Sequence, residues 1–468
     1  MMQMDLNNSN KIIYLLLLTM EPDKLMIVAH PDDEILWGGA NIVASRGWKI
    51  IVATNKRHKL RSLEFYRMAI DAGILVAEMY NCKDTEDDND VFSGTIFEKA
   101  LERESKKKWS LVLTHNELGE YGHPQHKRVY HLVKKHFPDA KFFKIGSKLN
   151  TKLISEKRQL CKNYPSQTIT KLFSSNQDKE ILENTTLYFT HETLYVKPEK
   201  WIIPKIAHQI WIGSDLPDYK KYFVKSIKTN LKGWDHVLWK TKDITREQFP
   251  NTFEYIEKAK IAGEDIGVSK WAQIADLMRY ELLRRYGGVY FDSNMELFKD
   301  LTHIINTENK RGTRFIGANE EPCGLNCSEP GGIKFLSNGF FASIPRGEVL
   351  TKATSKEMLD SIDFNSYWVN RQTGPYYLRK AIVHPIKWKV RLLNTYDIYP
   401  FVANDGIVEI DGIYREKEQN KCIFKDEEEG TTEIELRDGT IVYLIYPCNK
   451  YPNALMMNHF IGGTWDWS

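Results

Sequence analysis

From Lys24 onward, short runs of apolar and β-branched residues alternate with stretches whose apolar residues recur at helical spacing. Leu25 to Ala29, Lys49 to Thr54 and Leu111 to Thr114 read as strands, and Ser62 to Ala72 and Phe97 to Lys106 as helices. Strands alternating with helices imply a parallel sheet covered on both faces, and such sheets gather ligands at the carboxyl ends of their strands. The second half repeats the theme. Lys205 to Gly213 is strand-like, Val268 to Tyr286 is a long helical pattern stopped by Gly287 and Gly288, and Val289 to Phe291 deliver Asp292 to a strand end. The 468 residues exceed what one hydrophobic core usually supports. Residues 145–200 are more polar and less periodic, and Pro198 and Pro204 bracket a junction. The expected organisation is an extension over 1–21, an α/β domain over 22–200 and a second α/β domain over 201–468.

The 65 basic residues nearly balance the 62 acidic ones, which leaves no field strong enough to argue for nucleic acid. Six scattered cysteines form no disulfide framework and fit a reducing compartment, and Cys323 and Cys327 lack the second pair that a zinc ribbon needs. Lys11 to Met20 is apolar but about half the length that spans a bilayer, so it reads as an edge strand rather than a membrane anchor. A soluble, cytoplasmic protein is the expectation. The acidic stretch Lys83 to Asp90 reads as a solvated loop.

Ala29-His30-Pro31-Asp32-Asp33-Glu34 follows directly on the first strand, so its side chains emerge at the ligand-binding edge. A second cluster, Gly122-His123-Pro124-Gln125-His126, follows the strand Leu111 to Thr114 closely enough to reach the same edge. Two His and one Asp are a ligand set of catalytic zinc, with one position left for water. Spacing alone leaves other readings open, since a His before Pro is commonly a turn residue.

The AHPDDE segment, Arg61 and Glu64 on the next helix, the run THNELGEYGHPQH and the later Tyr164-Pro165-Ser166-Gln167 together resemble the PIG-L (LmbE-like) family of N-acetylglucosaminyl deacetylases over residues 22–198. The resemblance implies a Rossmann-like fold, zinc held by His30, Asp33 and His126, Asp32 as general base, and His123 as the group that stabilises the intermediate or protonates the leaving amine. It implies Arg61 as a substrate-binding residue and an N-acetyl amino sugar as substrate. Glu64 is equally readable as an ion-pair partner of Arg61, and Glu34 as a cap of the following helix. Asn55-Lys56-Arg57-His58-Lys59 replaces the glycine-bearing turn usual after the family's second strand, and a basic rim suits a phosphorylated or nucleotide-linked sugar.

HQIWIG and the later segment ADLMRYELLRRYGGVYFDSN, with Asn338-Gly339-Phe340, Thr373-Gly374-Pro375 and the terminal His459, Thr464 and Trp465, resemble the family 32 glycosyltransferases with a DXD sugar-binding motif over residues 201–468. That resemblance implies a GT-A fold, a nucleotide-sugar donor (UDP- or GDP-linked) and a glycan acceptor. It assigns Asp276, Arg279 and Asp292 to the donor sugar and Trp211 to the nucleotide pocket. Asp292, Asn294 and His459 fall to a divalent cation, Mn²⁺ or Mg²⁺. Asn294 stands where the motif has its second carboxylate and offers a neutral amide oxygen instead. The whole chain therefore reads as a bifunctional carbohydrate-active enzyme. The alternatives are a deacetylase carrying a decayed transferase as a glycan-binding module, and a zinc amidase acting on something other than a sugar.

Overall fold

In the computed structural model, residues 21–84, 95–167, 186–261, 268–320, 333, 336–363, 366, 368–399 and 453–458 are described, with the backbones of four short strands between 407 and 443. The extension 1–20, Cys323, Cys327, Cys422, Cys448, His459, Thr464 and Trp465 lie outside the described residues. Two compact units are present, 1–200 with 245–250, and 201–244 with 251–468. Among the described residues no helix is long and apolar enough to cross a membrane.

The first unit is a five-stranded parallel sheet built from β1 (Lys24–Val28), β2 (Trp48–Thr54), β3 (Val76–Cys82), β4 (Leu111–Thr114) and β5 (Lys141–Phe142), in the order β3-β2-β1-β4-β5. This is the Rossmann-like arrangement, in which the strand order reverses between β1 and β4 and opens a crevice beyond their carboxyl ends. Alternate residues of each strand point to opposite faces, and both faces are covered. Met26, Val28, Ile50 and Val52 pack with Ile35 and Trp37 of α1 (Asp33–Ala44), Phe65 and Met68 of α2 (Lys59–Asp71), and Leu153 and Leu160 of the later helix Thr151–Cys161. Leu25, Ile27, Ile51 and Ala53 pack on the other side with Phe97 and Leu101 of α3 (Ile96–Ser105) and Val129 and Val133 of α4 (Pro124–His136). Helix starts follow local chemistry. Thr95 accepts from the Glu98 amide, and His123 accepts from the Gln125 amide with Pro124 in the first turn. His58 caps α2, which is why that helix begins at Lys59 rather than at Ser62.

The second unit carries a six-stranded mixed sheet in the order β12-β10-β11-β8-β6-β7. Here β6 is Ile206–Trp211, β7 Asp235–Lys240, β8 Gly288–Phe291, β10 Phe315–Asn319, β11 Leu336–Ser343 and β12 Val390–Leu393. Strands β6, β7 and β8 are parallel, and β11 runs antiparallel to β8. The carboxyl ends of β6 and β8 therefore meet the beginning of β11 at one edge. A short strand, β9 (Met295–Leu297), pairs with Met456–Asn458. Helix α5, Asp218–Asn230, packs against β9, and α6 is Val268–Tyr286. The glycine stop is steric as well as conformational. Gly287 and Gly288 have φ of 67° and 99°, and a Cβ at Gly288 would lie 2.5 Å from the Ile206 carbonyl oxygen.

Candidate functional sites

His30, Asp33 and His126 converge at the crevice of the first unit. Asp33 Oδ2 lies 3.3 Å from His30 Nδ1, 3.3 Å from His126 Nε2 and 3.4 Å from His115 Nε2. Strand β1 delivers His30, the first turn of α1 delivers Asp33, and α4 carries His126. Burial works against ionisation of Asp33, but the imidazoles around it, His126 foremost, hold its carboxyl well below the usual range. In return, burial disfavours a charged His30, yet Asp33 and Asp84 outweigh it and bring its pKa to about 9. The cluster thus collects negative charge that needs a positive partner, a proton or a cation.

His126 indicates what that partner is. Its Nδ1 stands 2.7 Å from Glu120 Oε2, a carboxylate whose pKa the neighbouring imidazoles hold at about 2 against its burial. The ring therefore carries its proton on Nδ1 and donates it to Glu120. Nε2 is buried with no hydrogen bond, 3.3 Å from Asp33 Oδ2, and against its burial Asp33 and Glu120 raise the pKa of the ring, so a positive partner, a proton or a cation, is favoured between Nε2 and Asp33. A carboxylate behind one ring nitrogen and an unbonded second nitrogen is an arrangement that suits a metal-ligating histidine. His115 has the same Glu120 contact at 2.7 Å, but its Nε2 accepts the Ala29 amide at 3.0 Å and has no lone pair left for a metal. Two trios bring ligand atoms within 4.8 Å of one another and could hold a metal ion, His30 with His123 and His126, and Asp33 with His115 and His126; His126 is common to both, and neither is the trio His30, Asp33 and His126 expected from sequence.

Around this set, Asp32 has φ of 117°, a strained conformation for a non-glycine residue, and its amide donates to Glu34 Oε2 at 3.0 Å. Burial, together with the charge of Asp33, raises the Asp32 carboxyl well above the usual carboxylate range against the pull of Arg61, 3.9 Å away. Arg61 Nη2 donates to the Pro31 carbonyl at 3.3 Å, while its Nε is buried without a hydrogen bond. His123 Nδ1 caps α4, so the neutral ring carries its proton on Nε2. Burial, with His126 and His30 nearby, lowers its pKa to about 4. Glu64 turns to Ser166, accepting from its amide at 2.8 Å and its hydroxyl at 2.5 Å. Glu34 accepts from the Tyr164 hydroxyl and is lifted by burial to about 7. The two acids thus tie the YPSQ element to the site.

Three participants were not assigned from sequence. His115 and Glu120 sit at its centre, and Asp84, from the acidic stretch read as solvated, reaches His30 Nε2 with Oδ1 at 3.1 Å. The available signal was the clustering of His115, Glu120, His123 and His126 within one short run.

In the second unit, β8 ends at Asp292 and α6 presents Asp276 and Arg279 one turn apart. Arg279 donates to Asp292 Oδ1 at 3.0 Å and the Asn338 carbonyl at 2.7 Å, lies 3.1 Å from Asp276 Oδ1 and stacks 4.5 Å from the Tyr290 ring centroid. Asp276 accepts from Asn338 Nδ2 and Thr373 Oγ1, both at 2.8 Å, and burial raises its pKa to about 6 despite Arg279. The segments around Asn338 and Thr373 therefore meet at one carboxylate. Asn294 occupies the turn between β8 and β9. Asp292 Oδ1 also accepts from the Tyr290 hydroxyl at 2.8 Å. Trp211, at the end of β6, keeps its indole N–H buried without a hydrogen bond, and the ammonium of Lys220 lies 5.7 Å from its ring centroid.

Residues 217–311 match the family model described as the glycosyltransferase sugar-binding region containing a DXD motif. The chain is 35% identical over 130 residues to protein L374 of Acanthamoeba polyphaga mimivirus, a match covering 24% of this chain and 56% of that protein. It is 24% identical over 203 residues to the mannosyl phosphorylinositol ceramide synthase SUR1 of Saccharomyces cerevisiae, covering 41% and 45%. The chain thus spans about half the length of these curated relatives. Among solved structures, the N,N'-diacetylchitobiose deacetylase from Pyrococcus horikoshii is similar with a TM-score of 0.28 and 15% identity, over 41% of this chain and 92% of that one.

Proposed function

We propose that residues 22–200 are a zinc-dependent deacetylase of an N-acetylglucosamine-type sugar and that residues 201–468 transfer a sugar from a nucleotide-sugar donor to a glycan acceptor. The observation that carries the first half is the buried, unbonded Nε2 of His126, backed through Nδ1 by Glu120. His30, Asp33 and His126 would hold zinc, which when bound supplies Lewis acidity that favours ionisation of water and polarises a carbonyl. Asp32 takes the proton of the attacking water, a task suited to a carboxylate whose proton affinity is raised by burial. The water oxygen bonds to the acetyl carbon and the C–N bond breaks, and the departing amine takes the proton back from Asp32. His123 Nε2–H is the donor available to the carbonyl oxygen, as a neutral hydrogen bond rather than an imidazolium. Arg61, with its buried Nε still unbonded, is the group to orient the sugar.

For the second half, the DXD-region match and the yeast relative's name support transfer of a hexose, with mannose the first to test. Asp276, Arg279 and Asp292 form the sugar-binding edge and Trp211 the nucleotide wall. Asn294 favours a second reading, a glycan-binding module without turnover, because it leaves one charged ligand at the DXD positions. Two measurements test the pair of assignments. One zinc per chain, lost in His126→Ala, is expected by elemental analysis, and a metal-free wild type unable to take up zinc would contradict the first. Nucleotide-sugar hydrolysis with added Mn²⁺ is expected for the second, and glycan binding without any hydrolysis would favour the module.

A further inference from the structure

Lys220 is a lysine in an unusual place. It sits in the first turn of the helix Asp218–Asn230, yet its side chain is 2% exposed. Lysine is among the residues least often fully buried, because an ammonium taken out of water must be compensated. Its Nζ lies 5.7 Å from the centroid of Trp211, the ring whose indole N–H is buried and makes no hydrogen bond. Two residues along, Tyr222 donates to Glu296 Oε1 at 2.6 Å, which pins this helix to β9 immediately after the Asp292–Asn294 turn. Burial lowers the pKa of this ammonium to about 8, and Asp292 is a charge that acts against that lowering. The lysine thus lies beside the aromatic wall at the end of β6 and within the field of the carboxylate at the end of β8.

In the transferase reading, on which this inference rests, the nucleoside lies at Trp211 and the sugar at Asp276, Arg279 and Asp292. The diphosphate joins the two. We infer that Lys220 is a further donor-binding residue, whose ammonium contacts the diphosphate of the nucleotide sugar and neutralises charge on the leaving group. During transfer, the bond between the anomeric carbon and the β-phosphate oxygen breaks and its electron pair stays on that oxygen, while the acceptor hydroxyl oxygen forms the new bond to the anomeric carbon and its proton passes to the departing diphosphate. Lys220 stabilises the charge that develops on the diphosphate. With Asn294 neutral at the second DXD position, a fixed ammonium shares with a divalent cation the neutralisation that a second carboxylate-held charge would otherwise secure.

The test uses the full-length chain, wild type, Lys220→Met and Lys220→Arg, with calorimetric binding of UDP, GDP and the corresponding nucleosides, and donor hydrolysis kinetics. The expected result is nucleoside diphosphate binding weakened about 10- to 100-fold in Lys220→Met, nucleoside binding unchanged, and substantial rescue by Lys220→Arg. Equal weakening of nucleoside and nucleoside diphosphate, or no change in either, would overturn the inference and leave the transferase reading standing. A folded wild type that neither binds any nucleoside diphosphate nor hydrolyses its sugars would overturn that reading and the inference with it. Should Lys220→Met not fold, Lys220→Gln takes its place, with the same selective loss of nucleoside diphosphate over nucleoside binding expected, and its absence in the folded variant overturning the inference.

Discussion

Replacing Glu120 by Gln keeps the size of the side chain and removes its charge. In the native site one oxygen, Oε2, serves two imidazoles, each with Nδ1 2.7 Å away, and the side chain is fully buried. A glutamine has one acceptor oxygen and presents an NH₂ where the carboxylate presented its other oxygen. With its oxygen toward the imidazoles, the glutamine sets its NH₂ against the Asn116 N–H that Oε1 accepts at 2.9 Å in the native site; turned over to satisfy that N–H, it leaves neither Nδ1–H with an acceptor. His126 is then released to place its proton on Nε2, the atom that would bind metal. Loss of a carboxylate behind a ligating histidine costs about 10- to 100-fold in metal affinity, or about 1.4 to 2.7 kcal/mol. Competition with a chromophoric chelator measures this directly, with circular dichroism as the control for folding. A folded Glu120→Gln protein that binds zinc as tightly as the wild type would refute the assignment of His126 as a ligand oriented by Glu120.

Arg279→Ala leaves Asp276 and Asp292 without their cation in a buried setting and is expected to lower stability by about 3 to 5 kcal/mol, read as a shift of the urea midpoint. An unchanged midpoint would mean that the guanidinium is not compensating these carboxylates. Burial opposes ionisation of Glu78 and Glu104, and Lys49 overrides it, at 2.5 and 3.0 Å, so both folded pKa values lie below those of the unfolded chain. Their contribution to stability is therefore fully present above the unfolded carboxylate pKa and is lost as pH falls through the lowered folded values. The melting temperature should drop between about pH 5 and pH 2, and less steeply in Lys49→Met; parallel profiles for the two proteins would contradict this.

The strands most legible in the sequence are those buried on both faces, such as β1 and β2, where near-continuous apolar runs leave no ambiguity. Strand β3 (VAEMYNC) escaped notice because its outward positions are polar or half-exposed, and β5 is only two residues long. His30, Asp33, His123 and His126 were singled out by the resemblance of their two segments to the deacetylase motifs, since spacing alone leaves other readings open. Glu120 was not, because its carboxylate reaches both imidazoles only through a turn in which Glu120 itself takes φ of 58°. Asp84 was hidden by its neighbours, since an acidic run carries no sign of which carboxylate turns inward. In the second unit, Asp276 and Arg279 read equally well as a surface helix pair. What distinguishes them is burial and the arrival of Asn338 and Thr373, 62 and 97 residues away in sequence, which no local pattern encodes.

Acetate release from N-acetylglucosamine compounds, free and nucleotide-linked, tests the central claim most directly, using wild type and Asp32→Ala after metal stripping and zinc restoration. The account predicts release that returns with zinc in the wild type and falls about 10²- to 10⁴-fold in the mutant, with zinc content unchanged. A folded, zinc-loaded wild type that releases no acetate, or an Asp32→Ala protein that releases it at the wild-type rate, would contradict it.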